Sequence, residues 1–253
     1  MRPAVSIVTP LYNGANFIGQ TIRSVQAQSL SDHEHIIIDN MSTDGGADIA
    51  RQAAQKDSRI SVLQHSQSQG ASGARNAGIT AAQGRYIAFL DCDDLWKPEK
   101  TRLQVAAMAQ VGAAFSWTAY DIVDETGRDI RTQMVPIAGT MRDLLNRKLV
   151  IGCLTAMYDS ALLGKRLMTS PVAPEDFCLW ADILTTCEAR ALPTVGLSQA
   201  LAVYRVHVAG VSANKQRAAL AYWRACRSHL GLSRLRSAGH FAQYVGRSLV
   251  ARL

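Results

Sequence analysis

An α/β fold, with a mostly parallel central sheet flanked by helices, is what the sequence predicts, and three observations carry it. Strand-like and helix-like runs alternate as β-α-β-α-β-α-β over the first 90 residues, the pattern of right-handed crossovers between parallel strands. The candidate strands are almost wholly apolar, as in Ile36-Ile37-Ile38 and Tyr86-Ile87-Ala88-Phe89-Leu90; a strand covered by helices on both faces has no solvent side to keep polar. Polar turns follow them at their C-terminal ends, and in open parallel sheets that edge is where ligands bind.

The first strand covers residues 5–9 and stops at Pro10-Leu11-Tyr12-Asn13-Gly14, where proline and glycine set turn geometry. Phe17, Ile18, Ile22, Val25 and Leu30 then recur at roughly helical spacing, which gives a helix with one face for the sheet. Residues 35–39 form the second strand, ended by Asp39-Asn40-Met41-Ser42-Thr43-Asp44-Gly45-Gly46. A helix around residues 49–54 and a short strand at 60–63 follow, and Gln69-Gly70-Ala71-Ser72-Gly73-Ala74-Arg75-Asn76 opens a third helix that ends by Gly84. Beyond the strand at 86–90 the pattern predicts a helix at 103–108, a strand at 113–118 and a polar loop or hairpin at 120–131. A short helix at 141–149 and a strand at 155–158 come next. Pro171-Val172-Ala173-Pro174 makes a stiff approach to a helix running from Glu175 to about Arg190, and residues 200–208 are the last strand-like run.

The chemistry concentrates after the fourth strand, in Asp91-Cys92-Asp93-Asp94. Carboxylates this close repel one another and lose solvation when covered, which is tolerated when a cation sits among them. The same letters also describe an acidic turn capping the helix that begins near Pro98. The first strand is not followed by G-x-G-x-x-G, and no G-x-x-x-x-G-K-[ST] occurs, which argues against a dinucleotide fingerprint and a P-loop. Five scattered cysteines without metal-type spacing are expected to be reduced thiols. No apolar stretch is long enough to span a bilayer, and the N-terminus enters a strand without the apolar segment of a secretory leader. A cytoplasmic protein is expected, with the option of peripheral contact at the inner face of the cytoplasmic membrane.

Four landmarks in order, Val5 through Asn13, Asp39 through Asp44, Asp91-Cys92-Asp93-Asp94, and Glu175-Asp176 followed by Tyr204-Arg205-x-His207, resemble the family 2 glycosyltransferases. These are inverting nucleotide-sugar enzymes of GT-A type, and the likeness is greatest to bacterial ones that build cell-surface polysaccharides. The resemblance covers roughly residues 4–212. It implies a GT-A type, Rossmann-like domain over residues 1–212, divided into a nucleotide-binding half (1–97) and an acceptor-binding half (98–212). It also implies roles: Pro10, Tyr12 and Asn13 along the nucleotide base, with Tyr12 stacking on it; Asp39 and Asn40 at the base and ribose; Asp91 at the ribose; Asp93 and His207 as metal ligands. Asn40 stands where the commoner pattern has a second Asp. Arg75-Asn76, beside Gly70 and Gly73, could reach phosphate or cap a helix.

Sugar transfer requires a diphosphate leaving group to be neutralised, and a hard cation held by few protein ligands can share its remaining sites with phosphate oxygens. Asp93 with one imidazole is such a site, for Mn²⁺ or Mg²⁺, the nitrogen ligand tilting the choice toward Mn²⁺. The acceptor hydroxyl must lose a proton as it attacks, and Asp176 is the candidate general base, with Glu175 orienting it or binding acceptor. Acids just after Pro174 are also what an ordinary helix N-terminus looks like. The expected partners are a nucleotide-sugar donor, UDP-linked by the family pattern, and a saccharide or lipid-linked saccharide acceptor. The alternative is a non-catalytic nucleotide-sugar-binding or scaffold protein of a polysaccharide assembly complex; a nucleotidyltransferase is a weaker third reading.

Charge is unevenly placed. All 20 acidic residues lie in residues 1–188 with 17 of the 27 basic ones, so the net +7 arises from ten basic residues after that point. Residues 213–253 read as a basic amphipathic helical tail: Leu220, Trp223, Cys226 and Leu230 recur every three or four residues, and Leu235, Phe241, Tyr244, Val245 and Leu249 are further apolar anchors. The tail could lie on anionic lipid headgroups, fold back on the body, or pair across a homodimer. Charge alone would also suit nucleic acid, but no nucleic-acid module accompanies it.

Overall fold

The computed structural model describes residues 2–65, 67–168, 174–207 and 215–250. Its first half follows the alternation read from the sequence: β1 (Val5–Leu11), α1 (Ala15–Gln26), β2 (His33–Asp39), α2 (Gly46–Lys56), β3 (Ile60–Gln64), α3 (Gly70–Ala81) and β4 (Tyr86–Phe89). The second half holds β5 (Leu95–Trp96), α4 (Lys100–Val111), β6 (Phe115–Val123), β7 (Asp129–Gln133), α5 (Met141–Leu145), β8 (Met157–Asp159), α6 (Ser160–Leu163), α7 (Glu175–Ala189) and β9 (Thr194–Arg205). Helices α8 (Lys215–Arg224) and α9 (Arg234–Val250) end it, with a π turn at Ala225–His229 between them.

All of the strands belong to one sheet in the order β3-β2-β1-β4-β8-β6-β9-β5, with β7 hairpinned onto β6. Pairing is parallel from β3 through β4 and again between β6 and β9; β8, β5 and β7 pair antiparallel to their neighbours. The apolar strands are covered on both faces, as their composition requires. Val8, Ile36, Ile38, Ile87 and Phe89 pack with Ala74 of α3 and Trp180 of α7, whereas Val5, Ile7, Ala88 and Leu90 face Val25 of α1 and Met108 of α4. Helix α3 lies so close to β1 that a Cβ at Gly78 would stand 2.4 Å from Val8 Cγ1, a contact only glycine permits.

Several boundaries differ from the sequence reading. Helix α1 ends at Gln26 and leaves Leu30 in the following loop. Strand β6 continues to Val123, burying Tyr120 and Ile122, because parallel pairing with β9 satisfies a backbone that looks loop-like from its polar neighbours. For the same reason β9 begins at Thr194 and not at residue 200. The helix at 141–149 is only Met141–Leu145: a Thr140–Asp143 capping box starts it, and Arg147 in the left-handed region (φ 55) lies just beyond its end. The Pro171-to-Ala173 approach and the last strand-like residue, Val208, fall outside the described residues.

The C-terminal helices fold onto the body. Tyr222 donates its hydroxyl to Leu145 O (2.7 Å), meets Phe177 at 5.3 Å between ring centroids and stacks on Tyr244 at 4.6 Å. His229 Nε2 sits 2.9 and 3.0 Å from the two carboxylate oxygens of Asp182. Tyr222 and Cys226 therefore take the inward positions, and Leu220 points to solvent. A ring whose hydroxyl finds a carbonyl buries more area than leucine and leaves no polar atom unsatisfied.

Candidate active site

Parallel β1, β2 and β4 bring three turns to one sheet edge. Asn13, in the left-handed region that asparagine tolerates (φ 49), accepts from Thr43 N at 2.9 Å and donates its own N–H to Ser42 Oγ at 3.1 Å. Asp44 accepts from Ala15 N at 2.8 Å. The turn after β1 is thus clipped to the turn after β2, with Pro10 inside β1 and Tyr12, 60% exposed, on the outer surface. Asn40 is spent internally: Nδ2 donates to Ser68 Oγ (3.1 Å) and Oδ1 accepts from Gln69 N (2.9 Å). Asp39 differs. Its Oδ1 accepts from Ser42 N at 2.9 Å, while its buried Oδ2 has no partner among the described residues, a group whose desolvation a ligand N–H or O–H would relieve.

The acidic turn after β4 is held from α1. Thr21 Oγ1 lies 2.8 Å from Cys92 O and 2.9 Å from Asp94 O; the sequence reading did not single Thr21 out, although a hydroxyl one residue before Ile22 on the apolar face of the helix could have marked it. Cys92 packs where a Cβ at Gly14 would stand 2.8 Å from its Sγ, and burial pushes the thiol up to about 12, so it is packing and not a nucleophile. Asp94 is buried and accepts from the backbone N–H of Arg205 at 3.0 Å. Burial, then Asp93 and Asp91, raise its carboxyl well above the usual range.

Asp93 is also raised, by burial and then by Asp91, with His207 opposing. His207 Nε2 stands 3.0 Å from Asp93 Oδ2. Strand β9 accounts for this meeting across more than a hundred residues: it runs antiparallel to β5 with Leu95 opposite Val203, so residues beyond Val203 pass back along the acidic turn. The His207 ring leans on Phe17 (4.9 Å), and the Arg205 guanidinium lies over the Phe17 ring, 4.8 Å from its centroid.

Arg75 occupies a place that sequence alone did not reveal. Its buried guanidinium donates through Nη2 to Asp91 Oδ1 (2.6 Å) and through Nη1 to Glu175 Oε1 (3.1 Å), joining the end of β4 to the first turn of α7. Neighbouring Asp176 has no direct ion pair among the described residues, and Arg75 acts on it only as a nearby charge that opposes the rise. Its Oδ1 accepts from Phe177 N at 2.7 Å, and burial, then the Glu175 charge, push its carboxyl up to about 6.

Among the described residues no group of three His, Cys, Asp or Glu side chains is arranged to hold a metal. Asp93 and His207 are a pair within contact distance of one cation, beside two further carboxylates held at a cost in repulsion. That donor set fits a divalent ion that completes its shell with ligand oxygens.

The fold and the sheet-edge site define a class, the GT-A type transferases. The chain belongs to glycosyl transferase family 2, whose profile matches residues 6–166, and it is a glycosyltransferase. It is 35% identical over 253 residues, 100% of this chain and 98% of the relative, to the putative teichuronic acid biosynthesis glycosyltransferase TuaG of Bacillus subtilis (strain 168). It is 32% identical over 215 residues, 83% of this chain and 80% of the relative, to the UDP-Glc:alpha-D-GlcNAc-diphosphoundecaprenol beta-1,3-glucosyltransferase WfgD of Escherichia coli. Among solved structures the fold is similar to S. aureus TarS in complex with UDP, with a TM-score of 0.68 at 19% identity over 98% of this chain and 71% of that one. It is likewise similar to the mannosyltransferase PcManGT from Pyrobaculum calidifontis in complex with GDP-Man and Mn²⁺, with a TM-score of 0.66 at 18% identity over 99% and 76%.

Proposed function

We propose that this protein is an inverting glycosyltransferase that moves a sugar from a UDP-sugar to a saccharide acceptor carried on a lipid diphosphate, during assembly of a bacterial cell-surface polysaccharide. The observation that carries the reading is one cleft edge with two differently prepared acids: Asp93 beside His207, and Asp176 raised to about 6 beside Arg75-bound Glu175. The likeness to WfgD, which by its name uses UDP-Glc and a diphosphoundecaprenol-linked GlcNAc, supports the substrate classes.

Tyr12 stacks on the nucleobase, the orphaned Oδ2 of Asp39 accepts from it, and Asp91, oriented by Arg75, accepts from the ribose. Asn40, pinned between Ser68 and Gln69, shapes this pocket. Mn²⁺ or Mg²⁺ held by Asp93 and His207 would neutralise the departing diphosphate. Asp176, ionised above pH 6, takes the proton of the acceptor hydroxyl as that oxygen forms its bond to the anomeric carbon and the bond from that carbon to the diphosphate oxygen breaks. One displacement from the face opposite the leaving group inverts the anomeric centre. Glu175, held by Arg75, keeps a charge beside Asp176 that helps raise its carboxyl into the range of a general base.

The test is a transfer assay with UDP-Glc, UDP-GlcNAc and GDP-Man, a GlcNAc-diphospholipid acceptor, and Mn²⁺ or EDTA, with product configuration read by NMR. A β-linked product from an α-linked UDP donor, lost in EDTA, is expected. Retention of configuration, or no turnover with any donor, overturns the reading.

A further inference from the structure

Helix α9 carries two apolar stripes, and only one of them is used by the fold. The inner stripe, Ser237, Phe241 and Tyr244 with His240, faces the body: Ser237 is fully buried, Phe241 and Tyr244 pack with Tyr222 and Cys226, and His240 Nδ1 lies 2.9 Å from Asn146 Oδ1. On the other side Leu235, Ala238, Ala242 and Val245 recur at intervals of three, four and three, and all are exposed, Leu235 at 85% and Val245 at 38%. Arg234 and Arg236 flank Leu235 and are exposed as well. A leucine left almost wholly in water between two arginines, at the head of a helix already anchored through its opposite face, calls for an external surface.

We infer that this outer face of α9 seats the protein on an anionic lipid bilayer, with Leu235 and Val245 entering the headgroup boundary and Arg234 and Arg236 pairing with phosphates. Charge decides the occupant. Residues 215–253 hold eight Lys or Arg and no Asp or Glu. A second copy docking through the same face would set arginine against arginine with no acid between them, since a two-fold interface opposes a patch to itself. Anionic headgroups supply the missing negative charge. The small alanines between the larger anchors make for shallow insertion, so electrostatics carries much of the binding and salt weakens it.

The placement also suits the chemistry on the other side of the helix. Tyr244 stacks on Tyr222, Tyr222 meets Phe177, and Phe177 follows Asp176. One layer of aromatic rings therefore separates the bilayer-facing helix from the first turn of α7. An acceptor embedded by its lipid would reach the cleft from that side.

The experiment is co-sedimentation of the full chain with vesicles of pure phosphatidylcholine and of phosphatidylcholine with 30% phosphatidylglycerol, as rough physiological charge densities go. Binding to the anionic vesicles alone, weakened by 0.5 M salt to roughly the neutral level, is expected. R234Q/R236Q should lower the partition coefficient roughly 25-fold, about fivefold per arginine. Leu235→Asp and Ala238→Asp should each lower it roughly tenfold without moving the thermal midpoint, and Val111→Asp, exposed on α4, should leave it unchanged. Equal binding to both vesicle types, variants that bind like wild type, or a wild-type dimer that Leu235→Asp splits would overturn the inference. Vesicle binding and sugar transfer are read separately, so either can fail while the other holds.

Discussion

Two pairs of adjacent acids, Asp93-Asp94 after β4 and Glu175-Asp176 at the start of α7, use the same functional groups and differ in what surrounds them. In each pair one member is committed to a neighbour: Asp94 to the backbone N–H of Arg205, Glu175 to the guanidinium of Arg75. The free members diverge. Asp93 has an imidazole 3.0 Å away, whereas Asp176 has burial and a like charge, which hold its proton up to about pH 6. A carboxylate beside an imidazole is ready for a cation; a carboxylate that prefers its proton is ready to take one from a hydroxyl. Function is distributed by environment more than by residue type.

The most damaging way to break the contrast is Asp176→Asn, which keeps the shape and removes the proposed base. Turnover should fall by ~10²–10⁴-fold while nucleotide affinity, measured by calorimetry, stays put. The pH dependence sharpens it. The folded value, about 6, lies above the ordinary 3.8, so folding favours the protonated form. That contribution is fully present below pH 3.8 and is lost as pH rises through 6; at its largest it is about 3 kcal/mol. Turnover moves oppositely, rising through pH 6 as the base ionises. In Asp176→Asn both slopes should vanish from the denaturation and rate profiles, and persistence of the acid limb would assign the base elsewhere.

Asp93→Asn strikes the other acid. Loss of charge stabilisation at the leaving group is worth several kcal/mol, so turnover should drop by ~10²–10³-fold. Unlike Asp176→Asn, it should abolish the Mn²⁺-dependent increment of nucleotide affinity while leaving the acid limb near pH 6. Swapped signatures would mean that the two acids have been assigned the wrong way round.

Arg75→Gln tests whether the pairs are linked. The guanidinium touches Asp91 and Glu175 together, so its loss should disturb both ends: nucleotide affinity down roughly tenfold, and the acid limb displaced upward because the cation that lowers the Asp176 value is gone. Removing one partner of a buried pair is strongly destabilising; here roughly 2–3 kcal/mol is expected, since both carboxylates reach solvent. A variant that loses stability with an unmoved acid limb would reduce Arg75 to scaffolding.

The sequence exposed these regions unequally. The buried strands β1, β2 and β4 were legible because a parallel strand covered on two faces is largely apolar, as Ile36-Ile37-Ile38 is, whereas β3, at the sheet edge, is mostly exposed. The polar turns at their ends marked the sheet edge where ligands bind, and the roles given to residues there came from the family resemblance. What stayed hidden depends on long-range pairing: β9 beside β5 is what carries His207 to Asp93, and no local pattern records it, so only the family resemblance put the two together. Arg75 read as a residue that could reach phosphate or cap a helix, because its carboxylate partners lie elsewhere in the chain. Fully buried Lys100, with Nζ on Gln104 Oε1 at 2.8 Å and over the Trp96 ring, gave no signal at all. In the tail, spacing found a helix but chose Leu220 over Tyr222, since periodicity does not know where a carbonyl waits for a hydroxyl.

The smallest expected effect belongs to Tyr12→Ala, and it bears on why the donor side is built before the ligand arrives. Tyr12 is 60% exposed, yet its backbone is fixed by Asn13 and Thr43, so the ring stands out from a clipped turn with little left to order on binding. Stacking of one base on such a ring is worth ~1–3 kcal/mol. Tyr12→Ala should therefore raise the nucleotide Kd roughly five- to tenfold, taking the lower part of that range because the ring is solvated beforehand. Fold stability should stay within about 0.5 kcal/mol of wild type, as for an exposed surface change. Asn13→Ala removes the side-chain acceptor of the clip, the one that holds Thr43 N, and keeps the ring. If affinity falls as far in Asn13→Ala as in Tyr12→Ala, the turn's rigidity and not the ring area is what the nucleotide uses; an unchanged affinity in both would move the base away from this turn.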